Sequence, residues 1–125
     1  MTAVLSHEFR PPETTSKHQD LRSFEDLDGI LRDLWKMEIN LRGLHLLIHL
    51  HLLGRGERLK SLASAIGLTS AGMTGVADQL ELKGLVVREV LPNDRRSIYL
   101  SLTKEGTQFA LWIGDSLGGA FGHRS

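Results

Sequence analysis

The stretch from Leu59 to Gly106, LKSLASAIGLTSAGMTGVADQLELKGLVVREVLPNDRRSIYLSLTKEG, decides the fold. Leu59, Leu62, Ala63 and Ile66 recur at helical spacing, and Gly67 stands where a left-handed residue stops a helix. Thr69 is placed to cap a second helix over about 70–83, its hydroxyl accepting a backbone N–H from the first turn. Met73, Val76, Ala77 and Leu80 form the inward stripe of that helix. Gly84 ends it after Lys83, a cation that suits the helix C-terminus. Leu85, Val86, Val87, Val90 and Leu91 are strand formers, and Pro92-Asn93-Asp94 reads as a turn. Ile98 to Leu102 return as the partner strand, with Ile98, Leu100 and Leu102 on one face and Tyr99 and Ser101 on the other. Thr103 caps a further helix. Helix, turn, helix, strand, charged tip and strand make a winged helix-turn-helix, which sets one helix in a DNA major groove with a hairpin beside it.

Charge at the hairpin tip supports that use. Arg95 and Arg96 project from a hairpin that also carries Asp94. An arginine on such a tip enters a minor groove, where narrowing deepens the negative potential. Taken alone, the tip reads more readily as a solvated charged turn; the preceding helix-turn-helix reverses that weighting in favour of the DNA role.

Working outward, a helix is predicted from Phe24 to about Met37. Phe24, Leu27, Ile30, Leu31, Leu34 and Trp35 lie on one face and Asp26, Asp28, Arg32 and Lys36 on the other. Leu41 to Leu53, LRGLHLLIHLHLL, is more apolar and is predicted to be buried on most sides, with Gly54-Arg55-Gly56 as the following loop. Within it His45 and His49 are spaced i, i+4 and share a face with Arg42. Such a pair can ligate a transition metal. No third or fourth ligand is discernible, so the pair is read as lining a polar face or an inter-subunit cleft, and neither a metal site nor a cofactor is predicted. After Gly106, Phe109, Trp112, Ile113, Leu117 and Phe121 form an apolar stripe that would be costly to leave exposed. Residues 1–22, polar and carrying Pro11-Pro12, read as a poorly ordered arm.

The same central stretch resembles the MarR family of bacterial and archaeal transcription regulators. The resemblance is carried by Asp78-Gln79-Leu80-Glu81 with Lys83-Gly84-Leu85-Val86, by Asp94-Arg95-Arg96-Ser97, and by Leu102-Thr103-Lys104-Glu105-Gly106, in that order. It implies a homodimer that binds pseudo-palindromic double-stranded DNA and responds to a small-molecule effector. The fold implied is mainly α with a small β-hairpin wing (α+β), with N- and C-terminal dimerisation helices at about 24–38 and 104–122 of a domain over 23–125. The recognition helix, about 70–83, would offer Ser70, Ala71, Thr74, Gly75 and, further along, Gln79. The wing, about 91–97, would offer Asp94 and Arg96 as the pair in which the acid orients the arginine, and Arg95 as a backbone contact. Thr103 and Gly106 match a structural strand-to-helix junction.

There are departures. Gly75 stands where a basic side chain is common in the family, and Gly72 adds a second glycine to the same helix. Each costs roughly 0.5–1 kcal/mol of helix stability relative to Ala. The end of the sequence at Ser125 suggests an abbreviated dimerisation lobe. The expected consequence is that the wing carries more of the affinity.

Composition bounds the rest. At 125 residues and 41% hydrophobic the chain is of one-domain size. It has no cysteine, which removes disulfides, thiolate metal sites and the reactive-cysteine peroxide sensing found in part of the family. No apolar run is long enough to span a bilayer and no secretory pattern opens the chain, so a cytoplasmic protein without membrane contact is expected. Formal net charge is zero, and a nucleic-acid binder then needs charge separation. From Arg55 to Arg96 and on to Lys104 there are eight bases against five acids, if Glu105 is left outside; from Met1 to Arg42 there are six against eight. No acid pair, Ser/His/Asp set or phosphate loop suggests an enzyme. The alternative to an operator-binding regulator is a winged-helix protein-interaction module with weak or no DNA binding.

Overall fold

The computed structural model describes residues 21–121. Five helices and a small sheet follow one another as α1 (Leu21–Lys36), α2 (Leu41–Leu53), β1 (Glu57–Arg58), α3 (Leu59–Ile66), α4 (Ser70–Leu82), β2 (Val86–Leu91), β3 (Asp94–Leu102) and α5 (Lys104–Phe121). Residues 1–20 of the expected arm lie outside the described residues, and Leu21 and Arg22 already belong to α1.

The helix boundaries have local causes. Asn40 caps α2 by accepting from the Gly43 N–H at 2.8 Å, and Thr69 caps α4 by accepting from the Gly72 N–H at 3.0 Å. Gly67 ends α3 at φ 79°, a left-handed geometry that an L side chain rarely adopts. The chain reverses there in three residues and launches α4.

Leu46, Leu47, Leu50, Leu62, Met73, Leu80, Val86, Leu100 and Ile113 are almost completely buried and tie α2, α3, α4, the sheet and α5 into one core. Burial of that kind is the principal stabilising term of a domain this size. α1 packs against α5 through Ile30, Leu34, Phe109 and Ile113. Among the described residues, no helix is long and apolar enough to cross a membrane.

Four expectations change. First, the sheet has three strands, in the order β1-β3-β2, all antiparallel. Glu57 and Arg58, expected at the end of a loop, pair with Leu100 and Tyr99; two residues are too few to show a period. Second, the wing turn is Pro92-Asn93 alone. β3 starts at Asp94, opposite Leu91, so Arg95 and Arg96 lie within a strand rather than on its tip. The ladder slips register between Val90 and Leu91 to allow this. Ile98 consequently sits beyond the core and is exposed, while Leu100 on the same face is fully buried.

Third, α2 buries only one face. Gly43, Leu46, Leu47 and Leu50 are inside, whereas Leu41 and Leu52 are nearly 80% exposed. Fourth, the apolar stripe of α1 is split: Ile30 and Leu34 are buried, but Phe24 and Leu31 are exposed and Trp35 is 81% exposed.

Candidate nucleic-acid interface

α4 lies on the core through Met73, Ala77 and Leu80, with Val76 half-buried, and turns its remaining positions outward. Ser70, Ala71, Thr74, Gly75 and Gln79 are all exposed, as the expected DNA role would require. Ser70 and Thr74 lie on the wing side of the outward face, sharing a cleft with Arg96 and Ser97. Ala71, Gly75 and Gln79 lie on its α2 side, where Asn40, Arg42 and Lys83 line a second depression. Open space surrounds Gly75, while a Cβ at Gly72 would press on the capping Thr69 hydroxyl at 3.2 Å. Gly72 thus has a packing reason within the cap, and Gly75 has none.

Arg96 is exposed on β3, beside the cleft. The side chains of Asp94 and Arg95 lie outside the described residues, so the expected pairing of Asp94 with Arg96 does too.

Sequence reasoning left out the residue that joins helix to wing. Arg88, on β2, donates to Asp78 at 2.6 Å and to Glu81 at 2.5 Å, and reaches the Thr74 carbonyl at 3.4 Å. Burial opposes the charge on Arg88, but the two carboxylates outweigh it and hold its pKa above the ordinary arginine value. Thr74, Asp78 and Glu81 follow at one-turn spacings along one edge of α4, so a single guanidinium fixes that edge to the sheet. It also offsets two negative charges that would otherwise face a polyanion. The only sequence signal was an arginine among strand formers, which periodicity assigns to solvent.

Arg88→Met is expected to lower stability by about 1–2 kcal/mol, below the cost of breaking a fully buried pair because the Asp78 end is exposed. Adding Asp78→Asn and Glu81→Gln should recover part of that loss. Urea melts of the single and triple variants measure it, and equal midpoints for wild type and Arg88→Met would show the clamp to be energetically idle.

A second cluster sits on β1. Arg58 Nε donates to the Tyr99 hydroxyl at 3.1 Å, and its guanidinium carbon lies 5.8 Å from the Tyr99 ring centre. Glu57 accepts from the Arg58 backbone N–H at 2.8 Å and from Arg55 at 3.4 Å. The backbone hydrogen bond from Arg58 is the largest cause holding the Glu57 carboxyl below its usual range; partial burial opposes it and Arg55 adds to it.

His45 is exposed and His49 half-buried, with their rings edge-on and 6.4 Å apart. Among the described residues, no group of three or more His, Asp or Glu side chains converges as a metal site would need.

The junction after the wing carries α5. The Thr103 hydroxyl donates to the Gly84 carbonyl at 2.6 Å and accepts from the Gly106 N–H at 3.0 Å, and the Thr103 N–H donates to the Leu85 carbonyl at 3.1 Å. Gly106 is buried directly against that Leu85 carbonyl.

Comparison with known proteins fits this geometry. The family model described as MarR family matches residues 39–98, from the entry to α2 through the wing. The HTH-type transcriptional regulator YkoM of Bacillus subtilis is 40% identical over 53 residues, 42% of this chain and 34% of that protein. The transcriptional repressor MprA of Escherichia coli is 40% identical over 48 residues, 38% of this chain and 27% of that protein. The aligned part of the chain thus spans about a third or less of these relatives' lengths. A crystal structure of a MepR–DNA complex from S. aureus shares the fold, with a TM-score of 0.71 at 22% identity, covering 78% of this chain and 79% of that one.

Proposed function

We propose that this chain, whose residues 39–98 match the MarR family model, is a homodimeric, sequence-specific operator-binding transcription regulator. α4 would enter the major groove through Ser70 and Thr74, and the wing would place Arg96 in the flanking minor groove. One observation carries the reading: the outward first turns of α4 and the wing arginine border the same cleft, which among the described residues has basic and hydroxyl side chains and no acidic one along it.

Dimerisation is supported by α1. Phe24, Leu31 and Trp35 are exposed on a helix whose main packing in its own subunit is against α5, and a second copy would cover them. An effector is supported by an apolar cleft of about 650 Å³ between the end of α1 and the start of α5, walled by Met37, Leu85, Phe109 and Trp112.

The test is selection of bound duplexes from a random pool, followed by titration at two salt concentrations. The expected result is an enriched palindrome whose half-sites lie about one helical turn apart, with affinity falling steeply as salt rises. No enrichment, with weak binding indifferent to salt, would transfer the chain to the winged-helix protein-interaction class.

A further inference from the structure

When a recognition helix occupies a major groove and a wing the adjacent minor groove, the DNA strand dividing the two grooves passes between helix and wing. The protein has a cleft of about 420 Å³ at that place. Arg58 and Lys60 line one side, Arg96 and Ser97 another, and Ser70 and Thr74 the recognition-helix edge. Among the described residues no acidic one lines it, in a chain whose formal net charge is zero. Three cations and three hydroxyls around one channel suit a phosphodiester.

Arg58 is also held in place. It stands directly opposite Tyr99 in the β1–β3 ladder and donates to the Tyr99 hydroxyl. An arginine already ordered by its neighbour loses less freedom on gripping an anion than one free in solvent. Glu57, the adjacent acid, is engaged by the Arg58 backbone N–H and by Arg55.

We infer that Arg58 and Lys60, from β1 and the first turn of α3, clamp a backbone phosphate of the strand that runs between the two grooves. The clamp sets the depth and register of α4 without reading sequence, and Tyr99 serves as the positioning residue for Arg58. The inference rests on the operator-binding reading and adds to it a contact from outside both α4 and the wing.

The experiment titrates wild type, Arg58→Ala, Lys60→Ala, Arg58→Lys and Tyr99→Phe against the selected operator and an unrelated duplex, between about 50 and 200 mM salt. Each alanine variant is expected to weaken both duplexes by the same factor, roughly 10-fold, and to reduce the log–log salt slope by about two, one contact in each subunit of the dimer. Arg58→Lys should keep the slope, which also serves as the arm for Arg58 if the alanine variant does not fold. Tyr99→Phe should weaken both duplexes by about 2- to 5-fold with the slope unchanged, because it removes an orienting hydrogen bond and no charge. If wild type binds with a steep slope and both alanine variants match it, the clamp is overturned and the operator reading stands. A loss confined to the operator would make these residues base readers and would also overturn it. A wild type that binds neither duplex removes the clamp and the operator reading together.

Discussion

Gly106→Ala is expected to destabilise the protein by about 3 kcal/mol, although alanine is the better helix former and the position lies in the first turn of α5. The cause is steric. A Cβ at Gly106 would overlap the Leu85 carbonyl oxygen, with the carbonyl carbon at 3.0 Å and Leu102 Cδ2 at 3.1 Å. Leu85 is backbone and cannot swing aside. Its oxygen accepts from the Thr103 N–H, and the preceding Gly84 carbonyl accepts from the Thr103 hydroxyl. Room for the methyl group therefore comes only from lifting α5 away from the α4–β2 junction and breaking hydrogen bonds at the seam.

Gly114→Ala is the control within the same helix. Nothing lies within 4 Å of its Cβ position, so the change should raise stability by roughly 0.5–1 kcal/mol. Thermal melts at one fixed protein concentration compare the two, since any self-association makes the midpoint concentration-dependent. A fall on the order of 10 °C for Gly106→Ala, beside a small rise for Gly114→Ala, is the expected pattern. Equal midpoints would show that α5 docks loosely on the junction. The same seam joins the helix proposed for the dimer interface to the end of the recognition helix, so Gly106 is also where a change at one could be felt at the other.

What sequence could show follows from the range over which each cause acts. Thr69 and Gly67 were legible because capping and left-handed termination are settled within four residues of chain. The inward stripe of α4 was legible because its period repeats over three turns. Arg88 was not, since its partners Asp78 and Glu81 lie on another element and only the fold brings them to one guanidinium. Arg58 and Lys60 stayed hidden for the same reason: a two-residue strand has no pattern, and its position against Tyr99 depends on the register of β3. α1 shows the converse. Its stripe was read correctly as apolar, but periodicity cannot say whether Trp35 meets its own chain or another, and within one subunit it is 81% exposed. The family resemblance supplied what spacing could not, the expectation of a partner copy and of Asp94 orienting the wing arginine.

Arg96→Ala carries the largest expected effect on DNA binding: a 10- to 100-fold loss of operator affinity, about 1.4–2.8 kcal/mol. Two features make Arg96 important to this chain. α4 offers short side chains at its outward positions, Ser70, Ala71, Thr74 and Gly75, which reach few base edges. Arg88, which packs along the edge of α4, is bound to Asp78 and Glu81 and is not spare for DNA. Arg96 stands exposed in β3 between the paired positions Asp94 and Ile98, at the register slip of the β2–β3 ladder, with its side chain bordering the cleft. If it enters the minor groove, its loss should also change which flanking sequences are preferred, because narrow A·T-rich minor grooves attract a guanidinium most strongly. The variant's salt slope should fall by about two, one contact in each subunit. Repeating the duplex selection with Arg96→Ala separates the two possible sites of contact. Loss of preference in the flanks, with the palindrome's centre retained, places the guanidinium in the minor groove. A uniform loss with unchanged preferences places it on phosphate beside Arg58 and Lys60. Unchanged affinity and slope would take the wing out of the mechanism and leave the short side chains of α4 to account for binding alone.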